Sequence, residues 1–331
     1  MRNEIGSLYW VITHRCNNNC AHCYMDCGPQ APSLSEDDAV LVVENLPHRI
    51  NHNIILSGGE VLHPENLKLL FLVCKLLIGR YGRRPIWLQT NGDFLSPKVI
   101  DDCLKQGIVH FSISSMDNYH KNPFHSLKEK EKHLRSLLKG KGLVEHPPPK
   151  NLSPKIAERA AIIQQSLLFT ASDLAFKPNF SIWGANAELW LKGNWARGRA
   201  LKNHIAVFDK SHNFCSMWSG GLNFLRTGSP RQEVVLQLSY LFPCCPSTKV
   251  ILADTREEPL IKGLERAARE PVFRAINRGR PYNGAAHLGF PPSRARQRLK
   301  ELNNICLLCN ELLEHLDPNI FQPSPFKIYS T

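Results

Sequence analysis

Over its first 114 residues the chain alternates short apolar runs with stretches in which apolar residues recur every three or four positions. Residues 8–13 (LYWVIT), 53–57 (NIILS), 85–90 (PIWLQT) and 108–114 (IVHFSIS) read as strands. Helices are predicted over 64–78 and 96–106, and another opens after residue 33. Ser33 or Ser35 can cap that helix. Glu36, Asp37 and Asp38 suit its positively polarised first turn, and Ala39, Val42, Val43 and Leu46 form its apolar stripe. Each strand is almost wholly apolar, as in parallel sheets covered on both faces, so the alternation predicts an α/β fold.

The pattern then weakens. Residues 118–152 are charged, interrupted by Gly140, Gly142 and the run of prolines at 147–149, and contain no clear strand. Within them, 128–141 (KEKEKHLRSLLKGK) is mixed in sign and reads as a solvated helix face. A helix over 154–169 and a strand within 174–183 resume the alternation, followed by a Trp- and Gly-rich link (ELWLKGNWARGRA). Beyond it, 222–226 and 233–242 read as two arms of a hairpin turning at 227–230. A basic helix over 259–279, a Pro/Gly/Arg-rich loop and a helix around Cys306 and Cys309 follow. These changes divide the chain into units at 1–204 and 205–316 and a proline-containing tail, 317–331, expected to be loosely docked or frayed. No internal repeat is present.

With 331 residues, 43% of them hydrophobic, the chain is too apolar for general disorder and long enough for one large domain and a smaller one. The 41 Lys and Arg against 29 Asp and Glu give a formal +12. That charge is compatible with an anionic partner or simply with solubility, and without a block of basic residues it does not call for nucleic acid. No apolar stretch of signal-peptide or membrane-spanning length opens the chain, so a cytoplasmic protein without a membrane partner is expected. Eleven cysteines then suggest metal ligation rather than disulfides, because cytosolic thiols stay reduced.

The chemistry gathers at Cys16, Cys20 and Cys23, which follow the first strand. Three thiolates at this spacing can reach three corners of a [4Fe-4S] cubane and leave its fourth iron open to a small chelating ligand. A structural zinc site is the alternative, with His22 or Cys27 as a fourth ligand. A second set, Cys215, Cys244, Cys245, Cys306 and Cys309, offers five thiols for what would be a four-ligand site, with one of the adjacent pair spare. Here too ligand identity leaves iron–sulfur and zinc open. Cys74 and Cys103 fall at apolar helix positions and read as core.

The run CNNNCAHCY resembles the signature of the radical S-adenosylmethionine (SAM) superfamily, in which such a loop follows the first strand of a partial (β/α)6 barrel of TIM type. The resemblance implies a [4Fe-4S] cluster on Cys16, Cys20 and Cys23, with SAM bound to it. His22 would then lie against the adenine, and Tyr24 would also belong to the cofactor site. Ser57, Gly58, Gly59 and Glu60, one strand further on, would receive the methionine end, with glycines admitting close backbone approach and an acceptor for the ammonium. Thr90 and Asn91, then Ser112, Ser114 and Asp117, would hold the methionine carboxylate and ribose hydroxyls from the ends of the next two strands, where parallel barrels place their active sites.

The hairpin, the FPCCP sequence and the Gly198-Arg199-Ala200 lead-in resemble the twitch or SPASM extension of that superfamily. This implies a small hairpin-plus-helix domain carrying a second, auxiliary [4Fe-4S] cluster, used for electron transfer or substrate binding. The expected reaction begins with reductive cleavage of SAM, supplied with electrons by a flavodoxin or ferredoxin. The resulting 5′-deoxyadenosyl radical would take hydrogen from a small polar metabolite, with an anion among the options. A peptide is the runner-up; with the first strand at residue 8, a leader-binding domain would have to come from a separate protein. Cys27 could be a hydrogen-atom donor or a packed free thiol. A non-catalytic iron–sulfur or zinc protein is the reading from another class.

Overall fold

The computed structural model describes residues 3–121, 123–145, 177–184, 194–226 and 232–326. The helix expected over 154–169 and the turn at 227–230 lie outside them.

Four expected strands are present: β1 (Ser7–Thr13), β2 (Ile54–Gly58), β3 (Ile86–Thr90) and β4 (Ile108–Ile113). A fifth, β5 (Asn179–Ile182), falls within the 174–183 run, and β6 (Glu233–Gln237) is the sixth. These six pair in parallel in the order β6-β1-β2-β3-β4-β5. A two-residue edge strand, Val144–Glu145, extends the β5 side. On the other side β7 (Tyr240–Phe242) and β8 (Ala253–Asp254) add antiparallel. The described residues thus form an open, mostly parallel sheet with mixed α/β layering, consistent with a partial barrel.

The helices run α1 (Glu36–Asn45), α2 (Leu67–Tyr81), α3 (Pro97–Lys105) and α4 (Leu127–Gly140). Ser35 rather than Ser33 caps α1, its hydroxyl accepting from the Asp38 amide at 3.0 Å. All of β1 is buried because each face meets a different core. Leu8, Trp10 and Ile12 join the outer core with residues of α1 and α2. Tyr9 and Val11 face inward with Ile55, Trp87, Val109 and Val235.

Three expectations are corrected. The segment 222–226 is not a strand: α7 (Ser219–Leu222), preceded by α5 (Gly198–Lys202) and α6 (Phe214–Met217), ends at Asn223 in the left-handed region, and Phe224 and Leu225 enter the outer core. The hairpin instead joins β6 to β7 through Leu238 and Ser239, with Leu238 at φ 52°. Its first strand pairs with β1, so the main sheet runs across the 204/205 boundary without a break. The basic helix is two, α8 (Leu260–Arg269) and α9 (Pro271–Ile276), because Pro271 cannot donate to α8 and Glu270 caps the new start.

The tail is docked as far as Phe326. The Ser324 amide donates to the Lys249 carbonyl at 2.7 Å, Phe321 is buried, and Phe326 packs on His14 at 4.7 Å. Two further helices, α10 (Pro292–Leu302) and α11 (Ile305–Leu313), close the described chain. Among the described residues no helix is long and apolar enough to cross a membrane.

One inward-facing residue of β6 has a measurable consequence. Glu233 is buried with no partner for Oε1, and burial lifts its carboxyl from 4.5 to about 8. The folded chain therefore holds a proton that the unfolded chain releases. The stabilisation is fully present below about 4.5 and lost as pH rises through about 8. Glu233→Gln should remove this dependence, gaining on the wild type by roughly 5 kcal/mol across that window. Urea unfolding midpoints of both proteins against pH test it; a constant difference would refute it.

Candidate active site

At the end of β1 the chain leaves the sheet and returns. The Cys16 amide donates to the Gly28 carbonyl at 3.0 Å and the Gly28 amide to that of His14 at 3.1 Å, closing the base of the cysteine loop. A turn from the Cys23 amide to the Cys20 carbonyl, 3.2 Å, gathers the last two thiols. Arg199, at the start of α5, clamps the loop. Its amide donates to the Cys23 carbonyl at 2.9 Å, and its guanidinium donates to the carbonyls of Cys20 and Cys27 and to Asp26. Gly198, just before it, sits at φ 48°, and a Cβ there would lie 2.6 Å from the Cys23 and Tyr24 carbonyl oxygens.

The end of β2 is spliced to the same loop. The Gly59 amide donates to the Thr13 carbonyl at 2.8 Å and the Glu60 amide to that of Arg15 at 2.9 Å. A Cβ on Gly58 would stand 2.4 Å from the Thr13 oxygen, and one on Gly59 2.5 Å from the Arg15 oxygen. These glycines are needed for backbone to meet backbone. Glu60 is fully buried, with its carboxylate accepting from the Thr90 hydroxyl and the amides of Asn91 and Leu62 at 2.7–2.9 Å. It ties β2 to β3 and does not line the cavity. Burial lifts it to about 7.

A further support is invisible in the linear pattern. Lys130 of α4 is buried, not solvated, and pairs with Asp93 at 2.8 Å. Asp93 in turn accepts from the side chains of Asn17 and Asn18 in the loop.

These contacts open one cavity onto the thiols of Cys16, Cys20 and Cys23, with Ser57, Gly58, Gly59, Thr90, Asn91 and Ser114 at the strand ends sharing its wall. His22 and Tyr24 also line it, and His22 Nδ1 is a buried polar atom without a partner. Burial pushes the Cys16 and Cys20 thiols up to about 12 and about 11. Cys23 goes the other way, to about 6, chiefly through its hydrogen bond with the Cys27 thiol.

A second, smaller cavity is lined by Cys215, Cys244, Cys306 and Cys309. Cys245 belongs instead to the first. Trp195 and Trp218 line both and stand in edge contact, their ring centres 5.7 Å apart. Arg197, buried beside the second cavity, donates to the Cys306 carbonyl and to Asn310 Oδ1, both at 3.0 Å.

Residues 10–140 match the model of the radical SAM superfamily. This segment is a radical SAM domain. The chain is 29% identical over 120 residues to an AdoMet-dependent heme synthase of Methanosarcina barkeri, a match covering 34% of this chain and 32% of the relative. It is 27% identical over 123 residues to AlbA, a Bacillus subtilis protein of subtilosin biosynthesis, covering 32% and 24%. The matches therefore span a third or less of these relatives. A solved structure of BtrN in complex with AdoMet and 2-DOIA aligns over 88% of this chain and 92% of its own, at 13% identity and a TM-score of 0.46.

Radical SAM membership implies a [4Fe-4S] cluster and SAM, and the residues present fit them. Buried thiols with raised pKa values ionise readily only against a cation, and the iron of a cluster provides one. Zinc would hold thiolates about 3.8 Å apart by tetrahedral geometry. Among the described residues no three cysteine sulfurs lie within 4.8 Å of one another.

The remaining predicted site residues divide. Ser112 is engaged by the Trp183 indole at 2.8 Å and does not line the cavity. Neither does Asp117, which accepts from the Tyr119 and His120 amides and from the His120 ring. His22, Asp117 and His120 bring their donor atoms within 4.8 Å, but Asp117 is already engaged by these donors. Tyr9, Gln89, His120, Trp183, Trp195 and Arg199 line the cavity without having been singled out as its walls. For Tyr9 the inward alternation of β1 was an available signal; for the others, separation along the chain hid the contact.

Proposed function

We propose that this chain is a radical SAM enzyme that takes a hydrogen atom from a small polar substrate and uses a second iron–sulfur cluster in the reaction. The observation that carries this is the single cavity shared by the three loop thiols and the ends of β2, β3 and β4. When bound, cluster and SAM would supply a 5′-deoxyadenosyl radical by one-electron cleavage of a C–S bond. Cys16, Cys20 and Cys23 would hold the cluster, and His22 and Tyr24 would border the cofactor. Thr90, Asn91 and Ser114 would contribute polar groups at the methionine and ribose end. The Tyr9 hydroxyl, 2.8 Å from both Ser57 Oγ and Gln89 Oε1, would orient a substrate hydroxyl or amide deeper in the barrel.

The wall favours a neutral polar substrate over an anionic one. The guanidinium of Arg199 is already engaged by Asp26 and the carbonyls of Cys20 and Cys27. Cys215, Cys244, Cys306 and Cys309 would hold the auxiliary [4Fe-4S] cluster, with four thiols favouring full ligation and hence electron transfer. The units 1–204 and 205–316 would then carry one cluster each while sharing the main sheet. A flavodoxin or ferredoxin would serve as electron donor. Eleven unpaired cysteines support a reducing, cytoplasmic setting. Modification of a peptide is the second reading, favoured by the similarity to AlbA.

Anaerobic reconstitution followed by SAM and dithionite should release 5′-deoxyadenosine and methionine; absence of any 5′-deoxyadenosine would sink the proposal. Iron counting on the triple alanine variant of Cys16, Cys20 and Cys23 decides the auxiliary site. About four irons per chain should remain, as one cubane requires. Zinc in their place would overturn that part.

A further inference from the structure

The adjacent cysteines of FPCCP face different cavities: Cys244 lines the second, and Cys245 lines the first together with the loop thiols. Three observations mark Cys245 as placed rather than packed. Its carbonyl accepts from Gln237 Nε2 on β6 at 2.6 Å, which fixes its backbone against the sheet. Its sulfur lies 3.2 Å from the Tyr24 hydroxyl, directly beside the cluster loop. Trp195, which lines both cavities and whose ring meets Tyr24 at 4.6 Å, has a buried Nε1 without a partner. Cys27, the other spare thiol of this cavity, is hydrogen-bonded to Cys23.

We infer that Cys245 is the hydrogen-atom donor that quenches the substrate radical, making the overall change at the substrate carbon redox-neutral, as in inversion of a stereocentre. This rests on the radical SAM reading above. The substrate radical takes hydrogen from sulfur: a C–H bond forms, the S–H bond breaks, and a thiyl radical is left on Cys245. One electron from the flavodoxin or ferredoxin and one proton, relayed through the Tyr24 hydroxyl, restore the thiol. With the electron used to cleave SAM, each turnover consumes one SAM, two electrons and one proton. An S–H bond is weaker than the C–H bond it regenerates, which sets the direction, whereas a serine O–H is too strong to serve.

The test needs no substrate. In D2O the thiol becomes S–D, and the reconstituted protein is supplied with SAM and dithionite alone. The wild type should release 5′-deoxyadenosine carrying one deuterium. In Cys245→Ser the label should fall to background, and in Cys27→Ser it should persist. Iron content gives an independent readout: Cys245→Ser should keep the wild-type amount, while Cys244→Ser should lose about four irons per chain. Label persisting in Cys245→Ser, unlabelled product from the wild type, or iron loss in Cys245→Ser would each overturn the inference. Absence of 5′-deoxyadenosine from the wild type would instead count against the radical SAM reading itself.

Discussion

Gly59→Ala should yield a chain that takes up little iron at the loop thiols and releases 5′-deoxyadenosine at least about 100-fold more slowly than the wild type, as about 3 kcal/mol lost from the site implies. The new methyl group would lie 2.5 Å from the Arg15 carbonyl oxygen and 2.7 Å from that of His14. Both obstacles are backbone, so no side chain can rotate away. Relief requires the end of β2 to part from the cysteine loop, breaking the amide bonds from Gly59 to Thr13 and from Glu60 to Arg15. Overpacking of this kind costs about 1–3 kcal/mol and the lost hydrogen bonds about 1 kcal/mol each. Gly79 of α2 is the control. A Cβ there meets nothing within 4 Å, so Gly79→Ala should be neutral or stabilising by up to about 1 kcal/mol. Iron analysis and thermal unfolding of both variants check the contrast; normal iron loading in Gly59→Ala would contradict it.

Replacing Arg199 with Ala should cost on the order of 3 kcal/mol and halve the iron content of the reconstituted protein. The guanidinium holds the Cys20 and Cys27 carbonyls and Asp26 together, and its removal leaves partly buried acceptors and a carboxylate without their shared donor. The loop would lose its clamp, while the second cysteine cavity, which depends on Arg197 instead, should keep its iron. Arg199→Lys keeps the charge but not the planar fork, so its effect should be intermediate. Iron per chain, with the second cavity's share measured in the background of the loop-cysteine triple variant, checks this. Equal losses from both cavities in Arg199→Ala would show that the clamp is not local.

Much of this was legible in the chain itself. Apolar runs near residues 8, 53, 85 and 108 predicted β1 to β4 because a strand buried on both faces must be apolar throughout. The cysteine spacing and the motifs at successive strand ends pointed to the radical SAM superfamily because that chemistry is built from short, local segments. What the sequence hid is long-range. The 233–242 segment reads as part of a separate hairpin, yet half of it is the sixth parallel strand beside β1, since the local pattern does not name a strand's neighbour. Lys130 reads as solvent-facing but is buried against Asp93, because the charged partner arrives from another βα unit.

Residue types and spacing alone therefore singled out the cysteines proposed to ligate iron and located approximately the strands beside them. Tertiary structure decided what those residues do for one another. It showed that Gly58 and Gly59 serve the fit of backbone to backbone, that Glu60 joins two strand ends, and that Arg199 clamps the cysteine loop from about 180 residues away. It also directed two adjacent cysteines into two cavities. Neighbours in a chain share a backbone, but the side chain of each meets whatever the fold has brought to its own side.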